Sequence, residues 1–283
     1  MSTPLANVRY AYDAPNKRWL APGREPLLAQ STVRDGFVEG WGYPSWEDHF
    51  EGTSLNSSVW NIRNNYQEAQ SRETMRTGNI VVENSCVRLM SKLETYNGRE
   101  YTSGYIDTIG KWWRRFGRWE MYAKIPIEHN ISRGMWPAFW LRDQTGQGEI
   151  DIMESAGTPN EHPSSYPTGQ GRFSSSFYRT TGVRTNGSPY QSRIYTNANA
   201  GDGKFHKFAF EWTPTRATFL FDDRALWTLN ETELEPFMPG FPSGGNMRID
   251  TFIGTNWIGY PTPEGTIWPR SFDIDYIRYW SLQ

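Results

Sequence analysis

The sequence predicts an all-β protein, an antiparallel sandwich or barrel, on three observations. From Trp41 onward, short runs of β-branched and aromatic residues alternate with polar ones. Clusters of Gly, Pro, Asn and Asp separate these runs, and only Glu231–Phe237 has the pattern of a short helix. About a dozen short strands with turn residues between them are typical of antiparallel sandwiches and barrels.

The predicted strands follow one another along the chain. They are Asn79–Val82, Cys86–Lys92, Thr102–Ile109, Gly117–Ile125, Trp136–Arg142, Glu149–Glu154, Arg172–Tyr178, His206–Trp212, Ala217–Phe221, Met247–Ile253 and Ser271–Trp280. Strict alternation predicts that one set of side chains in a strand faces a core. The two clearest sets are Trp119, Met121 and Ala123 in one strand, and Phe272, Ile274 and Tyr276 in the last.

Residues 1–40 differ in texture from the rest of the chain. They are rich in Pro, Gly and Arg and have no sustained periodicity. We therefore expect an extension that packs on or flanks a single domain formed by residues 41–283. The first residues show no positively charged start followed by an apolar run, so no secretory signal is visible.

Composition excludes several classes of protein. Lys and Arg number 29 against 31 Asp and Glu, so the chain lacks the basic footprint of a nucleic-acid binder. No apolar run is long enough to cross a membrane, and the single Cys86 excludes an internal disulfide. We expect a soluble monomer without a metal cofactor. The 14 Trp, 15 Tyr and 15 Phe favour carbohydrate binding, because flat aromatic faces stack on sugar rings.

The segment GEIDIMES, residues 148–155, is the strongest candidate for chemistry. It places Glu149, Asp151 and Glu154 in an otherwise apolar run, where buried charge is costly unless the residues line a cleft or have partners. On a regular strand Glu149 and Asp151 share a face, whereas Glu154 has the wrong parity. One extra residue at Ile152–Met153, a β-bulge, would return Glu154 to that face.

Two carboxyl groups that flank a sugar linkage suffice for glycoside hydrolysis. One attacks the anomeric carbon while the other protonates the leaving oxygen. A third carboxyl between them should raise at least one pKa, because like charges this close cannot all stay ionised cheaply. A raised pKa suits a general acid that works near neutral pH. The segment alone leaves a solvated acidic strand edge as an equal alternative.

Longer segments resemble glycoside hydrolase family 16, in particular its laminarinase-like members. The resemblance rests on GMWPAFWLRDQTGQGEIDIMES, on YTSGYIDTIGKWWRRFGRWEMYAKIP before it, and on FHKFAFEWTPTRATFLFDD and FDIDYIRYW after it. WEDHFEGTSLNSSVWN resembles the family's opening strand, so the blocks cover about residues 46–280 in the family's order. The resemblance implies a jelly-roll β-sandwich of the concanavalin A type, with a substrate cleft across its concave face.

The resemblance also assigns roles to residues. Glu149 corresponds to the nucleophile, Glu154 to the acid/base, and Asp151 to the assisting carboxylate between them. Trp136 and Trp140 resemble the cleft tryptophans of the family's WPAFW segment, and we expect at least one to contact substrate rather than pack in the core. Trp257, in GTNWIG, resembles a loop that borders the cleft, although Ile258 replaces the family's proline.

Two positions depart from the family's pattern. Many members carry a His on the strand after the catalytic one, where this chain has the serines of RFSSSFY. We therefore expect a remodelled leaving-group side. The family's structural calcium ion often uses an acidic residue in a D-E-F motif, where this chain has Asp48, His49 and Phe50. Asp275 matches the usual carboxy-terminal partner of that residue.

The substrate stays open between classes at this point. The E-x-D-x-x-E spacing disfavours lichenases and xyloglucan transferases, and the other blocks favour an endo-acting β-1,3-glucanase, which would meet its polymeric substrate outside the cell. Lys111, Arg114, Arg115 and Arg118 cluster in KWWRRFGR, and Arg115 is a candidate for reading an anionic galactan. A solvated hairpin turn is the alternative for this cluster. A galactan-cleaving enzyme and a non-catalytic carbohydrate-binding module remain alternatives for the protein.

Overall fold

Two β-sheets packed face to face form the body of the molecule, as the sequence predicts. The computed structural model describes residues 11–13, 18–20, 36–157, 172–184 and 188–282, and every structural statement below concerns these residues. Strands β1 (Ala11–Asp13) and β2 (Arg18–Leu20) pair as an antiparallel hairpin. The rest of the predicted extension, apart from residues 36–40, lies outside the described residues.

The first sheet, called the cleft sheet below, has eight described strands. In spatial order its strands are β15 (Tyr190–Tyr195), β14 (Phe173–Tyr178), β13 (Glu149–Ser155), β12 (Met135–Asp143), β19 (Gly245–Ile253), β9 (Tyr105–Asp107) and β4 (Asn61–Ile62), and β10 (Trp113–Arg114) also pairs with β19. All of these pairs are antiparallel.

The second sheet, called the outer sheet, has ten described strands. In spatial order they are β18 (Arg224–Leu229), β17 (Ala217–Phe221), β16 (His206–Trp212), β11 (Gly117–Lys124), β20 (Arg270–Trp280), β7 (Val87–Tyr96), β8 (Arg99–Ser103) and β5 (Glu73–Met75), with β3 (Trp46–Asp48) on β20 and β6 (Ile80–Val82) on β7. The β5–β8 pair is parallel, whereas the other pairs are antiparallel.

The core lies between the two sheets and is rich in aromatic side chains. Phe139, Ile150 and Met153 of the cleft sheet are fully buried in it, as are Trp119 and Met121 of the outer sheet. The predicted inward set of β11 is therefore confirmed. Because every second residue of the inner strands is committed to this core, the opposite face of the cleft sheet is free to carry polar side chains.

The last strand corrects one prediction. Phe272 and Ile274 face the core as predicted, but Tyr276 does not belong to the core cluster, whereas Ile277 does. The register between β11 and β20 shifts by one residue, because Tyr122 pairs with Tyr276 while Ala123 pairs with Ile274. This bulge turns Tyr276 to the outer face, where its hydroxyl donates to Glu120 Oε1 at 3.0 Å.

The predicted strand Thr102–Ile109 is two strands in the structure. β8 belongs to the outer sheet and β9 to the cleft sheet, so the chain changes sheets at Gly104. A Cβ atom there would lie 2.9 Å from Leu89 Cβ, so only glycine fits this crossing without a shift. The predicted helix Glu231–Phe237 is α1 (Glu231–Leu234) followed by a 3-10 turn at Glu235–Gly240.

The amino-terminal boundary of the domain stays a prediction. The described chain runs without a break from residue 36, and Trp280 Nε1 donates to the carbonyl oxygens of Gly36 and Gly42 at 3.1 and 3.0 Å. Residues 36–40 therefore pack on the end of β20. Within the described residues, no helix has the length and apolar character needed to cross a lipid bilayer.

Candidate active site

A bulge in β13 brings the three acidic residues of GEIDIMES to one face of the cleft sheet. Asp151 pairs with Ser176 and Glu154 with Ser174, so three steps along β13 match two steps along β14. The extra residue lies at Ile152–Met153, as predicted, and both of these side chains are buried in the core. Glu149, Asp151 and Glu154 consequently line one cavity of about 120 Å³ together with Trp136, Ala138, Trp140 and Phe252.

The register of the cleft sheet arranges its residues in rows across the strands. The first row is Tyr190, Tyr178, Glu149, Arg142 and Asn246, the second is Ser192, Ser176, Asp151, Trp140, Arg248 and Asp107, and the third is Ile194, Ser174, Glu154, Ala138, Asp250 and Tyr105. The fourth row begins with Trp136 and Phe252. The three acidic residues therefore occupy three successive rows.

Burial dominates the electrostatics of these carboxyl groups. Asp151 and Glu154 are only 5% and 7% exposed to solvent. Burial, followed by the charge of Glu154, raises the pKa of Glu149 to about 7. Burial and the two neighbouring carboxylates raise the pKa of Asp151 well above its usual range. Burial also raises the pKa of Glu154, against hydrogen bonds from Asp151 and Trp136 that lower it.

Asp151 and Glu154 share a hydrogen bond whose sense follows from these opposing effects. The bond raises the pKa of Asp151 and lowers that of Glu154. A proton on Asp151 is therefore donated to the Glu154 carboxylate. Because burial raises both pKa values, Glu154 can carry a proton of its own while Asp151 keeps its proton, next to a third carboxyl group, that of Glu149, that can ionise. This separation of protonated and ionised groups within one cavity is the arrangement that acid/base chemistry on an acetal needs.

The two predicted cleft tryptophans lie at the site, half-buried and away from the core. Trp136 Nε1 donates to Glu154 Oε1 at 3.1 Å, and Trp140 Nε1 donates to Asp250 Oδ2 at 2.9 Å. Each indole therefore orients a carboxyl group as well as presenting a ring to the cavity. Contact of either ring with a sugar stays a prediction.

Trp257 lies beside the cavity and supports Trp136. The two rings meet edge-on with centroids 4.4 Å apart, and the Thr255 hydroxyl accepts from Trp257 N at 3.1 Å, which fixes the loop. The structure thus joins Trp136, Trp140 and Trp257 to the three acidic residues.

The basic cluster of KWWRRFGR is divided in the structure. Arg115 is exposed, stacks 5.0 Å over Phe116 and is not among the residues that line the cavity. Arg118 is buried in the outer sheet and pairs with Glu120 and Glu211, each at 2.6 Å. Lys111 Nζ donates to the carbonyl oxygens of Ser57 and Trp60. These cations therefore do not form a joint surface toward the cleft.

Several residues of the site were not singled out from the sequence. A larger cavity of about 260 Å³ adjoins the first and shares Trp136, Trp140 and Phe252 with it. Its other lining residues are Tyr66, Glu68, Gln70, Ser71, Tyr105, Arg142, Thr181, Arg248 and Thr255. Alternate residues of a strand share a face, so the predicted strand Met247–Ile253 already implies that Arg248, Asp250 and Phe252 lie on one side of the sheet. This alternation could have identified them as residues of the site.

The serines that replace the family's histidine lie beside the acidic residues. Ser174 is the register neighbour of Glu154 and Ser176 that of Asp151. Ser176 Oγ donates to Ser192 Oγ at 3.2 Å. This side of the site consequently presents small hydroxyl groups, which leave more room than an imidazole beside Glu154.

The carboxylate of Asp48 lies at the calcium position that the resemblance implies, and calcium binding there stays a prediction. Asp48 Oδ1 accepts from Phe50 N at 2.8 Å and Oδ2 accepts from Trp60 Nε1 at 2.9 Å. Each carboxylate oxygen of Asp48 therefore has one protein donor. Among the described residues, no three His, Cys, Asp or Glu side chains form a group that could hold a metal ion.

Known glycoside hydrolases are similar to this chain in sequence. The sequence model of glycosyl hydrolases family 16 matches residues 65–277. A beta-glucanase of Rhodothermus marinus is 28% identical over 227 residues, which cover 75% of this chain and 73% of the relative. An endo-1,3-1,4-beta-glycanase of Rhizobium meliloti is 26% identical over 259 residues, 88% of this chain but only 49% of the relative.

A solved structure shows the same fold. The catalytic domain of an endo-1,3-beta-glucanase (laminarinase) from Thermotoga petrophila superposes with a TM-score of 0.70 at 24% identity, covering 86% of this chain and 99% of that one. The chain belongs to glycosyl hydrolases family 16, since the family model spans most of its length and the sandwich and cleft agree with it. It is accordingly a glycosyl hydrolase related to beta-glucanases.

Proposed function

We propose that the chain cleaves β-1,3-glucan internally, with retention of configuration, by double displacement. The observation that carries this proposal is the bulge of β13, which gathers Glu149, Asp151 and Glu154 in one cavity beside two tryptophans. A regular strand would direct Glu154 into the core and leave the site with two carboxyl groups in successive rows. The relatives that are called beta-glucanase and endo-1,3-1,4-beta-glycanase support a β-glucan as the substrate.

In the first step, Glu149 acts as the nucleophile. Its carboxylate forms an ester bond with the anomeric carbon, while Glu154 gives its proton to the glycosidic oxygen as the C–O bond breaks. Three guanidinium groups, those of Arg142, Arg248 and Arg184, lower the pKa of Glu149 against burial and the charge of Glu154. They thereby favour the ionised nucleophile that the attack requires.

In the second step, Glu154 acts as a base. It takes a proton from water, whose oxygen attacks the anomeric carbon and releases Glu149 as a carboxylate. Asp151 donates its hydrogen bond to Glu154 whenever Glu154 is ionised. Asp151 therefore stabilises the charge that Glu154 acquires after the first proton transfer, and the inversion at each of the two steps gives overall retention.

The open shape of the site supports cleavage within a polymer. The two adjoining cavities extend from the Glu149 row to the loop at residues 66–71, so a chain of several sugars can lie across the sheet. Trp136 and Trp140 are shared by both cavities and can serve as stacking surfaces for successive units. A polymeric substrate places the reaction outside the cell, and we expect the protein to act as a monomer.

Release of reducing ends from a panel of polysaccharides tests this proposal. The panel contains laminarin, barley mixed-linkage glucan, agarose, κ-carrageenan and a β-galactan, with Glu149→Gln as the blank. We expect hydrolysis of laminarin into a ladder of oligosaccharides and no release above background by Glu149→Gln. Hydrolysis of a galactan alone would contradict the β-1,3-glucan assignment. A wild type that equals the blank on all five would favour a carbohydrate-binding module.

A further inference from the structure

Three arginines surround the Glu149 end of the cleft and lower the pKa of Glu149 through space, without forming an ion pair with a described carboxylate. Arg142 pairs with Glu149 in register, Arg248 pairs with Trp140, and Arg184 lies exposed shortly after β14. Among the described residues, no carboxylate oxygen lies within 4.0 Å of these guanidinium groups. By contrast, the guanidinium groups of Arg63 and Arg118 have such partners at 2.6 Å.

Neutral groups hold the three side chains in place. Arg142 Nη2 donates to the carbonyl oxygen of Gly146 at 3.1 Å, and Arg184 Nη2 donates to Tyr178 Oη at 2.8 Å. Arg248 Nε donates to Asn246 Oδ1 at 3.0 Å, and the guanidinium lies 4.7 Å over the ring of Trp140. The cluster, which we call the cleft arginines, is thus positioned without its charge being neutralised.

The nearby carboxyl groups compensate this charge poorly. Burial raises the pKa of Glu149 to about 7 and raises the pKa values of Asp151 and Asp250 well above their usual range, which favours the uncharged forms of these groups. Asp107, next to Arg248 in register, already accepts from Arg63 and Asn61. Glu68, which also lines the larger cavity, accepts from Tyr66 Oη at 2.6 Å.

Uncompensated guanidinium groups that line a cleft are suited to bind an anion. Their planar donor groups match the oxygen spacing of a carboxylate or a sulfate, and the walls of a cleft strengthen the attraction over its value in open solvent. Arg142 and Arg248 line the larger cavity, which meets the smaller one at Trp136 and Trp140. An anionic group there would lie within one or two sugar units of the bond that is cleaved.

We propose that the cleft arginines Arg142, Arg184 and Arg248 bind an anionic substituent, a carboxylate or a sulfate ester, on the polysaccharide that the cleft cleaves. This inference rests on the proposed function, because it names the substrate class of the same site. It differs from the anion reading of KWWRRFGR, whose cations are divided between the outer sheet and the protein surface.

Charged and neutral forms of one backbone test the inference. The substrates are laminarin and β-1,3-glucan that has been carboxymethylated or sulfated, which separates the two anions. The variants are Arg184→Gln and Arg248→Gln, with Arg224→Gln, exposed on the outer sheet, as the matched control. We expect wild type to have a kcat/KM about tenfold higher on at least one charged glucan, as one charge-assisted contact would give.

The variants separate recognition of substrate from support of Glu149. Because both arginines also lower the pKa of Glu149, Arg184→Gln and Arg248→Gln should lower kcat/KM on every glucan, with a larger loss on the charged glucan than on laminarin. Added salt should weaken the preference for the charged glucan in wild type. Arg224→Gln should keep it. Equal kcat/KM values on charged and neutral glucans in wild type would overturn the inference. An equal loss on both in the variants, with a shifted pH profile, would overturn it in favour of a role in positioning Glu149.

A binding measurement keeps this test independent of turnover. Affinity electrophoresis of Glu149→Gln in gels that contain laminarin or the charged glucans reports binding whether or not the wild type hydrolyses any of them. Stronger retardation by a charged glucan, lost on adding Arg184→Gln, would support the cleft arginines even if the proposed hydrolysis failed. Equal retardation by neutral and charged glucans would contradict the inference while leaving the hydrolysis intact.

Discussion

At the scale of single residues, the site works by keeping carboxyl groups where water cannot solvate them well. Glu149, Asp151 and Glu154 each have a raised pKa, first because of burial. A raised pKa favours the protonated form in the folded state. The same burial that prepares a general acid therefore lowers the stability of the fold at pH values where these groups ionise.

Glu149→Gln should accordingly stabilise the protein while it abolishes hydrolysis. The pKa of Glu149 is about 7 in the folded chain against an ordinary value of 4.5, so between these values the folded state binds a proton that the unfolded state has released. Stability of wild type therefore falls as pH rises through this window. At pH 8 the free energy of unfolding of the variant should exceed that of wild type by on the order of 2 kcal/mol, so the variant should melt several degrees higher. Near pH 4 the two proteins should melt at the same temperature. Equal melting temperatures at pH 8 would contradict the burial argument.

Trp136→Phe tests the hydrogen bond that reaches Glu154. The indole N–H lowers the pKa of Glu154, and phenylalanine keeps a ring beside Phe252 without the donor. The basic limb of the kcat/KM profile should therefore move to higher pH, with a loss of about tenfold in kcat. Trp257→Phe, which alters the neighbouring ring without touching Glu154, is the matched control. A basic limb that stays in place would show that Trp136 acts on substrate alone.

At the scale of elements, one extra residue in β13 determines which acidic side chains the cleft sheet directs into the cleft. The bulge at Ile152–Met153 buries two consecutive apolar side chains and returns Glu154 to the face of Glu149 and Asp151. Deleting Ile152 leaves the regular run Glu149-Ile150-Asp151-Met153-Glu154, in which Glu154 lies two steps from Asp151 and the three acidic residues still share one face.

We expect the deletion variant to keep hydrolysing laminarin above the Glu149→Gln blank, because Glu154 stays beside Asp151, and to melt at a lower temperature, because the core loses the buried side chain of Ile152. Circular dichroism checks that the sheets persist, and adding Glu154→Gln to the deletion should remove the remaining activity. A folded deletion variant without hydrolysis would contradict the account that the bulge serves to bring Glu154 to the face of Asp151.

The two bulges also show how far a sequence predicts register. In β13 a regular strand would turn one of the three acidic residues into the core, where a carboxylate is costly. This cost predicts the bulge at its observed place. In β20 both Ile274 and Ile277 face the core, and their spacing of three residues also indicates a bulge. Neither alternative there buried an unpaired charge, so Tyr276 was assigned to the wrong face. The local sequence pattern predicts the strand register where one of the two registers would bury an unpaired charge. Where neither register does so, the pattern leaves the register open.

At the scale of the whole molecule, long-range pairing decides what the sequence alone could not. The split of Thr102–Ile109 between two sheets depends on Leu89 approaching Gly104, and the cleft arginines come from β12, β19 and the segment after β14. Each of these residues is unremarkable within its own segment. Their proximity follows from strand order, which no local pattern contains. The basic run KWWRRFGR, conspicuous in the sequence, is by contrast dispersed by the fold.

The central claim, that Glu149 and Glu154 act on β-1,3-glucan by double displacement, is tested most directly by the anomeric form of the first product. Proton NMR of laminarin during early hydrolysis resolves α- and β-anomers before they equilibrate, with Glu149→Gln as the blank. We predict that the β-anomer appears first and that the α-anomer grows only as mutarotation proceeds. An α-anomer that appears first would show direct attack of water on the sugar and would contradict Glu149 as the nucleophile.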